Sequence, residues 1–441
     1  MNIVYRRIII SVFSIFFLIA APLVVTYTAG YRLSLKDFKF IATGNLYFEG
    51  KDISNASITL NGELTDEQFT KKHYINNILP GTYTIEIQKE GYYTWTKKVE
   101  VKEHLTTFIQ DIVLFARATP QTITSSEEKV TLLGVTSDFS LVARASQEIT
   151  DYLLISHDDH KETLLYRASQ NLLATISLSP KNKLVLFTTP TLSFVVDVKS
   201  AQVTTLPTGL EWQWNSTEDE LVSFTTKEVL IFNFKTATAE VVYTSTLPLL
   251  DVLAYNNTLY VMSQDAQSTL VSSFQRTLKS TTTIATLASS THLDLHQITP
   301  DVLIIKNNSA RTFHVISLTE KTDALSSTIH TLYADTLILS PNNNMLALTR
   351  GNEVTVFNIA TSTTHFIERF SINTNNLYWF DNAHLIIQKD KEILAFDLRT
   401  HNNLTQTTLY NTQSSLNHLF VMDGQLFFEE DSSIKVLNII L

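Results

Sequence analysis

The 441-residue chain contains no cysteine. That excludes disulfides, thiol catalysis, thiolate metal sites and lipid attachment through sulfur, and it leaves the redox compartment open. Glycine and proline are scarce as well, with ten and nine residues. No glycine-rich loop is present to cradle a phosphate, and no Gly-x-Ser-x-Gly elbow to raise a nucleophilic serine. Turns must therefore fall to Asn, Ser and Thr, and Asn is the non-glycine residue that best tolerates positive φ. Charged residues make up 17% of the chain and are unevenly spread. Residues 1–120 carry 13 Lys and Arg against 11 Asp and Glu, whereas residues 121–441 carry 20 against 32. An acidic C-terminal region is a poor match for a nucleic-acid backbone. Hydrophobic residues are plentiful at 44%, enough for two or three folded units.

The longest hydrophobic run stands at the N-terminus. After Arg6 and Arg7 no charge occurs until Arg32. As a helix, such a run spans a hydrocarbon core of ~30 Å. Pro22 is tolerated near its far end, and Tyr27 and Tyr31 suit the distal interface. A cleaved signal peptide is the alternative. Its apolar region is shorter, about 7–15 residues, and a small residue belongs where Tyr27 stands, before the best cut after Ala29. The reading is a signal anchor, with residues 1–7 a cytoplasmic tail, 8–29 the span and 30–43 a juxtamembrane linker. Arg6 and Arg7 determine the topology, holding the N-terminus inside and sending the rest of the chain out. The expected location is the cytoplasmic (inner) membrane, in a single-pass protein.

From Asn45 the pattern changes to period two. NLYFE, ASITL, TYTIEI and TKKVEV are short alternating runs bounded by turn chemistry. Asn61-Gly62 predicts a type I′ hairpin, which needs positive φ at both positions. Pro80-Gly81 suits a type II turn. Tyr83, Ile85 and Ile87 share one strand face, and Trp95, Val99 and Val101 another, which gives a small sandwich core. With Ala56, Asn61-Gly62, Leu79-Pro80-Gly81, Tyr83, Gly91-Tyr92 and Trp95 in place, Asn45–Glu103 resembles the PEGA domain, an extracytoplasmic bacterial β-sandwich module. Ser54-Asn55-Ala56 stands where the family has Pro-Glu-Gly-Ala. The expected sandwich covers residues 44–104. Tyr92, Tyr93 and Trp95 read as core and turn packing, or as a stacking platform for a sugar ring.

The remainder, residues 105–441, repeats. FVVDVKS, LIFNFKT, VTVFNIAT, LAFDLRT and IKVLNII share one frame, with weaker copies at LLISHD, SSFQRT and HVISLT. Each is an apolar run closed by a short polar residue: Ser156, Asp197, Asn233, Gln275, Ser317, Asn358, Asp397 and Asn438. Their spacing stays near 40 residues, the mark of a β-propeller with four strands per blade. LSPKNKLVLF and LSPNNNMLAL are strand–turn–strand units resembling those of TolB-like and WD-type propellers, with Asn where those families favour Asp-Gly. Eight frames predict eight blades, with seven as the alternative. The last frame ends close to Leu441, so its outer strand must come from elsewhere, within about residues 105–126, closing the ring and hiding its edge.

Chemistry is sparse. His157-Asp158-Asp159-His160 with Glu162 is a ligand-dense cluster, but it falls where a polar turn is expected between strands. No catalytic residue, cofactor or metal site is assigned. The expectation is an all-β, membrane-anchored, extracytoplasmic binding or scaffold protein of a bacterial cell envelope, whose propeller binds a protein partner or cell-wall glycan. The alternative is a propeller enzyme acting on extracellular glycan or peptide through residues from several blades.

Overall fold

The computed structural model describes residues 3–34, 39–51, 53–66, 72–169, 175–189, 191–289, 292–318, 328–371, 376–399 and 405–440. They fall into two compact units, Met1–Ala118 with Ile439–Leu441, and Thr119–Asn438.

The first unit opens with α1 (Ile3–Thr28). Pro22 lies inside it, and the Thr26 hydroxyl donates to the Pro22 carbonyl at 2.9 Å. Strands β1 (Tyr31–Ser34) and β2 (Lys39–Ala42) form a two-stranded sheet. The sandwich follows: β3 (Gly44–Lys51), β4 (Ser57–Leu60), β5 (Glu63–Asp66), β6 (Lys72–Ile78), β7 (Gly81–Gln88), β8 (Trp95–Val101) and β9 (Thr106–Val113). Its two sheets run β6-β3-β9 and β5-β4-β7-β8. Alternation decides what each strand buries. Leu46 and Phe48 of β3, Ile85 and Ile87 of β7, and Trp95, Val99 and Val101 of β8 all enter one core. Asn61 and Gly62 have φ of 52° and 84°, as the I′ turn requires. Gly81 differs from expectation. Its φ of 158° is close to extended and it opens β7; the left-handed Asn77, at 61°, lies within β6.

The expected boundary at residue 104 needs correction. β9 pairs in parallel with β3, from Asn45 opposite Thr106 to Lys51 opposite Val113, and Ile109 and Ile112 complete the core. The chain turns at His104, whose φ is 58°, and returns beside β3 as one more strand of the sandwich. β3 is hemmed in at both ends by glycines whose missing side chains matter. A Cβ on Gly44 would lie 2.4 Å from the Lys102 carbonyl oxygen, and one on Gly50 2.6 Å from that of Ile112.

The second unit is a β-propeller. The described residues of this unit form eight four-stranded antiparallel sheets, seven of them built from consecutive strands. In the eighth, Leu416–Met422, Gln425–Glu430 and Ser433–Asn438 are completed by β10 (Gln121–Ser125), which pairs with Ser433–Asn438. The segment before the first sheet thus supplies the missing strand, as the sequence predicts. All eight frame residues, Ser156 through Asn438, are the last residue of the third strand of their sheet. Asp197, Asn233 and Asn358 accept backbone N–H groups two or three residues on, fixing the next turn. Asn182 and Asn343, in the two Ser-Pro turns, take φ of 57° and 59°.

The cores lie between sheets. Leu141 and Leu154 of the first sheet pack with Phe187 and Phe194 of the second. Val222 and Val229 of the third pack with Val252 and Val261 of the fourth. Val130 and Val142 of the first pack with Phe427 and Ile434 of the eighth, which closes the ring. Side chains also tie first strands to neighbouring sheets at several boundaries. The Trp214 indole donates to the Ser177 carbonyl at 3.2 Å, the Trp379 indole to Ile338 at 3.2 Å, and the Gln388 amide to Leu416 at 2.6 Å. The Gln213 amide donates to the Val252 carbonyl, and the Leu132 N–H to buried Glu429. Asp251, placed by a bulge after Leu249, accepts Leu295 N–H of the fifth sheet and Val252 N–H of its own strand, both at 2.7 Å. Between the first and second sheets, Gly134 instead leaves room for Leu178, which would be 3.0 Å from a Cβ.

Two outcomes follow from these contacts. Gly50→Ala should lower the unfolding free energy by about 1–3 kcal/mol, seen as a lower denaturant midpoint, because the clash is with rigid backbone. Burial, aided by the charges of Asp294 and Glu211, pushes the Asp251 carboxyl up to about 6. The folded pKa exceeds the unfolded one, so the favourable contribution of this group is complete below about pH 4 and is lost as pH rises through 6, up to about 3 kcal/mol. Asp251→Asn should remove that slope: its unfolding free energy should gain on the parent protein between pH 4 and pH 7. A constant difference over that range would refute the assignment.

Candidate functional site

In the small sandwich, Tyr92 and Trp95 are 9% and 5% exposed and belong to the core. This corrects the stacking-platform reading for both, since neither ring has a face left for a ligand. The reason is strand parity: Trp95 lies on the same face as Val99 and Val101, and Tyr92 forms an isolated bridge with Ala116. Tyr93 is half-buried, its N–H donating to the Phe115 carbonyl at 2.8 Å and the Arg117 guanidinium standing 5.3 Å from its ring centre. The exposed rings are elsewhere. Tyr74 and Phe108 flank Tyr47 across β6, β3 and β9, at centroid distances of 4.6 and 5.4 Å. Their signal in the sequence is weak, because the row exists only once three distant strands are in register.

In the propeller, the His157–Glu162 cluster is the turn between the third and fourth strands of the first sheet. Its members are engaged separately. His157 places Nδ1 3.1 Å from the Ser137 carbonyl and Nε2 2.9 Å from the Ser140 hydroxyl, and its ring stacks on Phe427. Burial lowers its pKa. Glu162 holds Arg144 at 2.7 Å and accepts from Thr124 at 2.8 Å. Among the described residues no group of three or more His, Asp or Glu side chains is placed to hold a metal ion.

A second polar constellation is invisible to local motifs. His384, 1% exposed, sets Nδ1 2.8 Å from the Asp381 carboxylate and Nε2 3.3 Å from Arg399, which also grips buried Asp397. Burial alone would raise the Asp381 pKa, yet its bonds to His384 and to the Ala383 and His384 N–H groups bring it below the ordinary carboxylate range. Held by Asp381 at one ring nitrogen and Arg399 at the other, the imidazole ties a turn together.

Three ionisable groups on the first strands are likewise engaged, while His296 on the strand Leu293–Ile298 meets the Phe313 ring edge-on at 5.4 Å. Asp251 is a strap, Asp294 accepts from the Asn308 amide, and His418 sits 2.9 Å from Glu429. One cavity of about 470 Å³ opens where Thr188, Thr189 and Leu192 of the second sheet face the Pro207–Glu211 turn. Its volume suits a small ligand. Among its lining residues Glu211 is the one ionisable group, and the Thr189 hydroxyl already closes its own turn by donating to the Leu192 carbonyl at 2.7 Å. Such a lining can hydrogen-bond hydroxyl groups, and it presents no general acid–base pair.

No curated protein matches the chain. Similar solved structures include an oligogalacturonate lyase from Vibrio parahaemolyticus, 11% identical over 73% of this chain and 97% of that one, TM-score 0.40. The WD40 domain of SCAP from fission yeast is 10% identical over 73% and 98%, TM-score 0.45. A prolyl endopeptidase is 12% identical over 70% and 54%, TM-score 0.45. Residues 52–113 match the PEGA domain family, which overlaps β4 through β9 and their shared core. Residues 52–113 thus match a PEGA domain, and the residues after the sandwich form a β-propeller.

Proposed function

We propose that this is a membrane-anchored, extracytoplasmic binding and scaffold protein of a cell envelope, with the N-terminus in the cytoplasm and the propeller as its main binding unit. The observation that carries the reading is α1. Tyr5–Thr28 is long and apolar enough to cross a membrane, and none of its hydropathy-defining stretch is buried. Phe13, Phe16, Phe17 and Leu18 are each about 70% exposed. An apolar surface of that extent needs a hydrocarbon environment. Exposed Arg6 and Arg7 precede the span and favour the cytoplasmic side. We read the eight sheets as eight blades, whose rims give a broad, rigid surface for an envelope protein or glycan. The competing enzyme reading needs acids and bases free to meet a substrate at the first strands; Asp251, Asp294 and His418 there are committed to local contacts, which leaves His296 as the group it would have to use.

Because the chain lacks cysteine, a single Ser280→Cys at the exposed start of the strand Ser280–Ala288 gives a clean topology probe. A membrane-impermeant maleimide should label it in intact cells, and Arg6→Glu with Arg7→Glu should reduce that labelling severalfold. Labelling that requires lysis would contradict the orientation. The full chain in detergent, mixed with envelope material, should co-sediment. Loss of binding after protease stripping would identify a protein partner for the propeller, whereas turnover of envelope glycan or peptide would favour the enzyme.

A further inference from the structure

The outer face of the sheet β6-β3-β9 carries two parallel rows of side chains. In the first, Tyr47 stands opposite Tyr74 on one neighbouring strand and Phe108 on the other. Tyr74 and Phe108 are 56% and 61% exposed, while Tyr47 between them is 6% exposed and forms the floor. The second row lies two residues along β3, a step of about 6–7 Å on the same face. There Glu49 stands opposite Lys72, with the ammonium 3.3 Å away. The Gln110 amide donates to Glu49 at 3.3 Å and the Tyr47 hydroxyl at 2.9 Å. The alternation that sends Leu46, Phe48 and Ile109 into the core puts both rows on the solvent side.

We propose that this face of the PEGA domain binds an oligosaccharide, stacking pyranose rings against Tyr74 and Phe108 while Glu49, Lys72 and Gln110 bond the equatorial hydroxyls. A pyranose has an apolar C–H face and a hydroxyl edge, and the two rows present those complements side by side. The Tyr47 hydroxyl, Lys72 and Gln110 hold the Glu49 carboxyl below its ordinary range, so it stays an acceptor at neutral pH. A lipid surface would call for a surplus of cations, whereas this row sets one carboxylate against one ammonium. A protein partner or second copy would call for several hundred Å² of continuous apolar area. Here three rings are bounded by hydrogen-bonding groups.

The inference deepens the envelope reading by giving the small domain its own ligand class, and it rests on the domain being outside the membrane. The test titrates the full chain in detergent with cellohexaose and with chitohexaose by calorimetry. Saturable binding to one or both is expected, weakened at least tenfold by Tyr74→Ala and by Phe108→Ala, and largely kept by Phe108→Trp. Glu49→Gln should weaken it several-fold. Phe366→Ala, an exposed ring on the propeller, should leave it unchanged. Preference for chitohexaose would indicate an amino-sugar wall polymer, and preference for cellohexaose a neutral glucan. No saturable binding to either sugar, or binding indifferent to both alanine variants, would overturn the proposal. So would self-association of the parent chain that the variants abolish. If the variants lose sugar but still co-sediment with envelope, the propeller reading stands beside this one. If the parent binds no sugar yet co-sediments, only the present inference falls.

Discussion

A ring of sheets made from one chain has two ends, and each would leave an unpaired strand edge. The structure resolves this with one ladder. Gln121–Ser125 pairs with Ser433–Asn438, so the first strand of the propeller unit and its last belong to the same sheet. An exposed edge invites pairing with other chains, and closure removes it. The ladder also holds the packing in place. Each hydrophobic cluster is shared by two adjacent sheets, so a sheet is buried only if both neighbours stand where they should. Opening the ring at any boundary exposes two apolar faces. The straps from Trp214, Asp251, Trp379 and Gln388 add direction to this packing, since each ties one first strand to a neighbouring sheet.

Much of this architecture was legible because it repeats. The polar residue ending each third strand recurs near every 40 residues, since each sheet must turn there and a short side chain can cap its own turn. The two Ser-Pro turns were readable for the same reason, with Asn182 and Asn343 taking the left-handed position in a glycine-poor chain. The straps were not. Trp214 and Ser177, or Asp251 and Leu295, meet only after two sheets have packed, and one partner in each pair is a backbone group that no side-chain pattern marks. The end of the sandwich was misplaced because β9 is separated from its partner β3 by five other strands.

The aromatic residues show where local reading fails at a site. Tyr92, Tyr93 and Trp95 cluster in sequence, and clustering alone fits a core as well as a platform. Parity separates the two: Trp95 shares its face with the core-forming valines of β8. Tyr47, Tyr74 and Phe108 are scattered in sequence and gathered only by strand pairing. The two units therefore divide the work unequally between local and long-range information. In the propeller, repetition reveals the frame and hides the fastenings. In the sandwich, the turns are plain and the exposed row is concealed.

The central claim, closure of the ring by β10, is tested most directly by amide hydrogen exchange on the full chain. Peptides covering Gln121–Ser125 and Ser433–Asn438 should exchange with matching, high protection and should lose it together as denaturant is raised, because one ladder protects both. Rapid exchange of Gln121–Ser125 alongside a protected Ser433–Asn438 would show an unpaired terminal segment and contradict the account.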